Sequence, residues 1–251
     1  MTAYQPATPH SNSILRPDRP QRAMLKEAVG KNPFHQDVAS RFGLVPNFFV
    51  SPPDAPKIIE KLWEFAKSGY LDNPIPSLFK ERLFVFLSRF CPVRYCIIRH
   101  CGFLVGYGHS SGDRAAGAQT IDQAVHLLRC PSPWRRDLQP IYASLDAIEL
   151  PIEWPEPGSE LEDWIFAASA VLFVAPEQQQ HPRAALRNAL GGKRLEYLLA
   201  LLAFIRTAHY WTVVHPGLEI EDDVRELMSK HKELASLLLQ DPDNAGDSAS
   251  T

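Results

Sequence analysis

The sequence predicts an all-α protein. Apolar residues recur at helical spacing through most of the chain, and prolines cut that pattern into short segments. No stretch alternates apolar and polar residues for long enough to make a useful strand. Proline is abundant, at 22 of 251 residues, and clusters between the apolar segments, so many short breaks should separate the helices.

The opening "MTAYQPATPHSNSILRPDRP" has no basic start followed by an apolar run, and residues 1–20 read as a disordered leader. In "APKIIEKLWEFAKSGYL", Ile58, Ile59, Leu62, Trp63, Phe65 and Ala66 repeat at helical spacing, and Gly69 suits the helix end. "SLFKERLFVFLSRF" follows two prolines, with Ser77 as its expected N-cap. Pro92 then fits the first turn of a further helix, capped by Cys91 and running towards Gly106 and Gly108. Such dense apolar content implies burial on more than one side. Residues 131–160 mix a short helix with proline-rich connection, which divides a first half, 21–130, from a second, 161–240. The second half supplies "LEDWIFAASAVLFVA", "KRLEYLLALLAFIRTAHYWTVVH" and "EIEDDVRELMSKHKELASLLL". Residues 241–251 read as a disordered tail.

Composition narrows the function classes. Hydrophobic residues make up 45% and charged residues 22%, with a formal net charge of -3 and no block of like charges. A nucleic-acid binder would show a basic patch or stripe, so no nucleic-acid partner is expected. The longest apolar run, Ile165 to Ala175, falls short of the roughly 20 residues of a membrane span, so no membrane partner is expected either. Four cysteines, Cys91, Cys96, Cys101 and Cys130, are too few for a disulfide scaffold of this length. The expected setting is the cytoplasm, with reduced thiols.

The chemistry concentrates in "CPVRYCIIRH". Cys96 and His100 are four apart, hence on one face of a helix. Glu81 lies fifteen residues before Cys96, on the preceding helix, and can fold back against that face. Together they form a candidate proton relay. The carboxylate orients the imidazole, and the imidazole takes the thiol proton to make a nucleophilic thiolate. A shift of 115 positions lays "ERLFVFLSRFCPVRYCIIRH" over "EYLLALLAFIRTAHYWTVVH", matching Glu81 with Glu196, Tyr95 with Tyr210 and His100 with His215. Two pseudo-repeats would explain that register, with the thiol only in the first.

This arrangement resembles the carboxymuconolactone decarboxylase superfamily, in particular its AhpD-like alkylhydroperoxidase branch. The resemblance begins at "SRFGLVPNFF" and continues through "LWEFAKSGYL" to Glu81, Cys96 and His100, covering about residues 38–130, with 160–240 looser. "LSRFCPVRYCIIRHCGFLVG" is also similar to AhpD-like regions of bacterial sensor proteins. The resemblance implies an AhpD-like helical fold, a small-molecule substrate or oxidant such as a peroxide, and a homo-oligomer. It also implies a thiol reductant or a signalling partner. Lactone decarboxylation or isomerisation by proton transfer is equally within the superfamily. The peroxidase branch carries a Cys-x-x-Cys pair, and the position of its first cysteine is Val93 here. Cys91 is the remaining candidate for a resolving thiol. On one continuous helix it would sit about 8.5 Å from Cys96 between Cα atoms, beyond the roughly 7 Å limit for a disulfide. A cap position would relax that geometry.

The same residues have plainer readings. Cys96 alone would be a small buried hydrophobe, and Glu81 with His100 a hydrogen-bonded tie between helices. Cys101 and Cys130 read as core or loop residues, and Arg94 and Arg99 as a solvated or interface face. His215, before Pro216, suits a helix C-terminus, and Tyr210 and Trp211 read as core. The spacing matches no common zinc pattern, and no metal or cofactor is expected. The leading expectation is an AhpD-like protein with one Glu–Cys–His site, and the rival is a non-catalytic sensing or interaction module.

Overall fold

Proline-led helices and left-handed glycine stops set the outline of the chain. The computed structural model describes residues 32–50 and 56–240. The leader, the start of the first half and the tail lie outside the described residues. Helix α1, Pro33–Phe42, has Asn32 at its cap, whose side chain accepts the Phe34 N–H. It stops at Gly43, where φ is 80° and the N–H returns to the Ala39 carbonyl. A 3-10 turn, Asn47–Phe49, follows. Helix α2, Pro56–Ala66, runs directly into a π turn, Lys67–Leu71.

Gly69 therefore does not end the helix. It lies inside the π turn, where an added Cβ would come within 3.2 Å of Phe204 Cβ and 3.1 Å of Phe65 Cε2. The glycine is there for close approach.

Helix α3, Ser77–Ser88, is buried from Phe79 to Ser88, and α4, Tyr95–Leu104, from Tyr95 to Leu104 except at His100. Two local expectations are corrected here. Pro76, not Ser77, occupies the α3 cap position, and Ser77 is the first helical residue. Helix α4 begins at Tyr95 rather than at Pro92, with Cys91 in the turn that closes α3 through its N–H to the Ser88 carbonyl, 3.1 Å. Pro92 biases the preceding residue away from helical geometry, so the chain turns before the next helix starts.

The remaining helices are α5 (Ile121–Arg129), α6 (Gln139–Asp146), α7 (Glu160–Val174), α8 (Gln180–Val214), α9 (Asp222–Lys230) and α10 (Lys232–Leu239). Thr120 and Gln123 form a reciprocal capping box on α5, and Ser159 caps α7. Among the described residues there is no strand, so the chain is all-α.

One apolar cluster runs from Val38 to Leu238 and takes in both halves and the connection between them. Helix α3 lies at its centre, in contact with α4, α5, α7 and α8. A buried ion pair crosses the core. Arg82 grips Glu162 through Nε and Nη2 at 2.8 and 2.6 Å, and donates through Nη1 to Gln119 Oε1 at 2.7 Å. Removing one partner of so buried a pair would cost about 3–5 kcal/mol.

Helix α8 is long and apolar enough, by length and composition, to cross a membrane, although it kinks at Gly191. Its buried face, Leu195, Leu198, Leu201, Leu202 and Ile205, belongs to the protein core. The aligned stretches of the two halves differ locally. Glu81 and His100 sit on separate helices joined by a turn, whereas Glu196 lies on α8 and His215 caps the same helix. Nineteen residues of one helix separate Glu196 from His215 by about 28 Å. Glu196 is exposed, 3.8 Å from Arg183.

Candidate functional site

Helices α3 and α4 pack side by side and bring Glu81 to His100. His100 Nδ1 lies 2.7 Å from Glu81 Oε1. Glu81 is wholly buried, and its other oxygen accepts from the Tyr70 hydroxyl at 2.5 Å and the Ser111 N–H at 2.6 Å. The Ser111 hydroxyl lies 3.2 Å from Oε2 and also reaches the Ser77 carbonyl at 2.9 Å. Burial first, and then Glu81, push the Tyr70 phenol well above its ordinary value, so it stays a donor. A carboxylate only accepts, so Glu81 calls for a hydrogen on His100 Nδ1.

The scaffold around this pair is specific. Tyr70 comes from the π turn, whose carbonyl ends are held by Lys80. The Lys80 ammonium donates to Leu71 O at 2.8 Å and Asn73 O at 3.0 Å, and burial brings its pKa down to about 8. Among the described residues, Ser111 is the one non-glycine with positive φ, 49°. Backbone strain of that kind persists where surrounding structure holds it, and here it aims an N–H at a buried carboxylate. The His100 ring stacks on Phe84, with centroids 3.4 Å apart.

Cys96 lies one turn before His100, and both line a small cavity of about 30 Å³. That volume holds roughly two waters or a comparable small group. Its walls are mostly aromatic, including Phe42, Phe48, Phe49, Phe84, Phe103 and Phe204. The "RFGLVPNFF" segment thus forms part of the cavity wall as well as an anchored turn. It is tied down where the Phe48 N–H donates to the Tyr95 hydroxyl, 3.1 Å, and Tyr95 donates to Glu221 Oε1, 2.6 Å. The Asn47 N–H donates to the same Glu221 oxygen at 2.7 Å.

The thiol is not bonded to the imidazole. The partner of Cys96 Sγ is Thr212 Oγ1, at 3.5 Å. Burial, with smaller contributions from Cys91 and Glu221, pushes the Cys96 thiol strongly up. Burial pushes Cys91 up as well, and all four cysteines are free thiols. Cys101 is buried, with its pKa pushed up to about 12 by that burial, and Cys130 sits half-buried at the α5 C-cap.

Two side chains, Arg99 and Tyr210, lie where the sequence reading did not put them. Arg99 is buried, not solvated. It pairs with Asp223 at 2.9 Å, donates to the Tyr107 carbonyl at 2.5 Å and lies over the Phe103 ring. An arginine finds a buried place on α4 because Asp223 and Glu221 arrive from the far end of the chain. Tyr210 is 69% exposed, so it is not core, and Trp211 is half-buried against His215. His209 is the buried histidine of α8. Its Nε2 lies 2.8 Å from Ser88 Oγ, and burial, with His100 and Arg206 nearby, brings its pKa down to about 3.

Tyr70, Ser111, Thr212 and Glu221 were missed by sequence reasoning. The glycine spacing of "GYGHSSGD", where Gly106, Gly108 and Gly112 all take positive φ, is the one signal that could have marked the Ser111 loop. Among the described residues no group of three or more His, Cys, Asp or Glu side chains could hold a metal ion. Comparison with protein-family models, with curated proteins and with solved structures finds no match to this chain.

Proposed function

We propose that the chain is an AhpD-like enzyme of the carboxymuconolactone decarboxylase kind, in which His100, held by Glu81, accepts a proton from the reacting end of a small organic substrate, the cavity itself taking only a group of about two waters' size. The observation that carries this reading is the Glu81–His100 contact at 2.7 Å, fully supported by Tyr70 and Ser111, at the edge of an aromatic cavity. Glu81 fixes the tautomer, and His100 Nε2 is the base. The aromatic, apolar wall strengthens the pull of that base on a substrate proton. The tandem AhpD-like architecture belongs to the same proposal. It is supported by the Glu/Tyr/His register of the two halves, although Glu196 and His215 make no second site.

A thiol-dependent peroxidase reading rests on one observation, that Cys96 and His100 line the same cavity. It is weakened by Val93 at the position of the first cysteine and by the bond of Cys96 to Thr212. We further propose a homo-oligomer. Its support is the exposed Tyr210, Val213 and Val214 on α8.

The test is turnover of small lactones and organic hydroperoxides, with and without an added thiol reductant, by the wild type, Cys96→Ser and His100→Ala. The proton-transfer reading predicts lactone turnover that survives Cys96→Ser and is lost in His100→Ala. Peroxide turnover that needs the reductant and dies in Cys96→Ser would replace it with the thiol reading. No turnover by a folded chain would replace both with a sensing module.

A further inference from the structure

Cys96 Sγ and Thr212 Oγ1 are 3.5 Å apart and both buried, although they come from α4 and α8, 116 residues apart. The Thr212 hydroxyl also lies 2.9 Å from the His209 carbonyl of its own helix, in donor geometry. A hydroxyl has one hydrogen and two acceptor lone pairs, whereas a carbonyl only accepts. The two contacts therefore assign each other. When the Thr212 hydrogen points to His209 O, its oxygen receives the Cys96 S–H, and Cys96 rests as a neutral thiol.

We propose that Thr212 is a positioning residue for Cys96, a hydroxyl with two stations. It donates to the His209 carbonyl while Cys96 holds its proton, and turns to donate to the sulfur once that proton has left. No heavy atom needs to move. On ionisation the Cys96 S–H bond breaks, its electron pair stays on sulfur and the proton passes to a base in the cavity, His100 Nε2. The Thr212 O–H bond stays intact and only rotates. Of the other titratable groups, Cys91 from the turn after α3 and Glu221 from the α9 cap act on the thiol, and Tyr70, Tyr95, Arg99 and His100 line the same cavity. Glu221 as a carboxylate only accepts and opposes a negative charge on sulfur, while burial keeps Cys91 a neutral thiol that is hydrogen-bonded to the Val93 backbone. Thr212 is thus the side chain hydrogen-bonded to Cys96 that can donate to a thiolate there.

This goes beyond the proton-transfer reading, which does not use Cys96, and its test needs no turnover. The S–H stretching band of Cys96 is recorded by infrared spectroscopy on the full chain and assigned by its loss in Cys96→Ser. Alongside it, the pH dependence of Cys96 alkylation is followed by site-resolved mass spectrometry. The expected result is a hydrogen-bonded S–H band in the wild type. Thr212→Val should move it to the frequency of a free thiol, and Thr212→Ser should restore it. Losing one hydrogen bond to the thiolate should slow Cys96 alkylation at fixed pH about tenfold in Thr212→Val, with recovery in Thr212→Ser. If Thr212→Val does not fold, Thr212→Ala makes the same comparison. A band and labelling rate unchanged in Thr212→Val, or a Thr212→Ser variant that behaves like Thr212→Val, would overturn the proposal. His100→Ala is measured in parallel for turnover, so failure at Thr212 is separable from failure of the His100 reading.

Discussion

Glu81 Oε1 and His100 Nδ1 lie 2.7 Å apart across the contact between α3 and α4, with the carboxylate wholly buried. A buried carboxylate with this many donors fixes the ring that faces it. Replacing His100 with alanine should lower turnover by about 10²- to 10⁴-fold, the range for a positioned general base. Glu81→Gln leaves the volume nearly unchanged but offers an N–H to the ring, so it should also lower kcat with little effect on KM. A Glu81→Gln variant with wild-type kcat would show that the pair is only a tie between helices.

The thiols should label in the order of their burial, not of the relay expected from spacing. Cys130 is half-buried, whereas Cys96 and Cys101 are buried with pKa values pushed up. At pH 7 a thiol probe should react first at Cys130 and slowly at Cys96. Fast, selective labelling of Cys96 would restore the activated-thiol reading.

Acid should weaken the fold through His209. Its folded pKa is lowered from 6.5 to about 3 by burial, so below pH 6.5 the unfolded chain binds a proton that the folded chain does not. The stability linked to this group is present above pH 6.5 and is lost as pH falls towards 3, on the order of 1 kcal/mol per pH unit. Denaturant titrations between pH 7 and pH 4 should show that slope in the wild type and a shallower one in His209→Gln. Equal slopes would mean that His209 does not carry the acid sensitivity.

Ser111 should tolerate glycine better than any branched residue. Its φ of 49° costs a β-branched side chain about 1–3 kcal/mol, while glycine adopts it freely. Ser111→Gly keeps the N–H to Glu81 but loses the hydroxyl bonds to Ser77 O and Glu81 Oε2, so it should cost about 1–2 kcal/mol. Ser111→Val should lower the melting temperature clearly, and an unchanged value would argue against strain at this position.

Much of the fold was legible because it follows from periodicity. The all-α class, the breaks at the prolines and the pairing of Glu81 with His100 can all be read from spacing. What sets the state of the site could not be read. Thr212 reaches Cys96 from 116 residues away, and Glu221 reaches Tyr95 from 126, so no local pattern announces either. Arg99 looked solvated because charge alone argues for exposure, while its partner Asp223 is likewise remote in sequence. The start of α4 was misplaced because Pro92 fits both a first helical turn and the turn before one, and the packing of α3 against α4 decides between them.

The central claim is that His100 presents an unprotonated Nε2 to the cavity because Glu81 holds the proton at Nδ1. Nitrogen NMR of the histidine rings, with the His100 signals assigned by His100→Ala, reads that tautomer directly at neutral pH. The predicted result is a protonated Nδ1 and a lone pair on Nε2 in the wild type, with the pattern disturbed in Glu81→Gln. An Nε2–H tautomer in the wild type, or a pattern unchanged in Glu81→Gln, would contradict it.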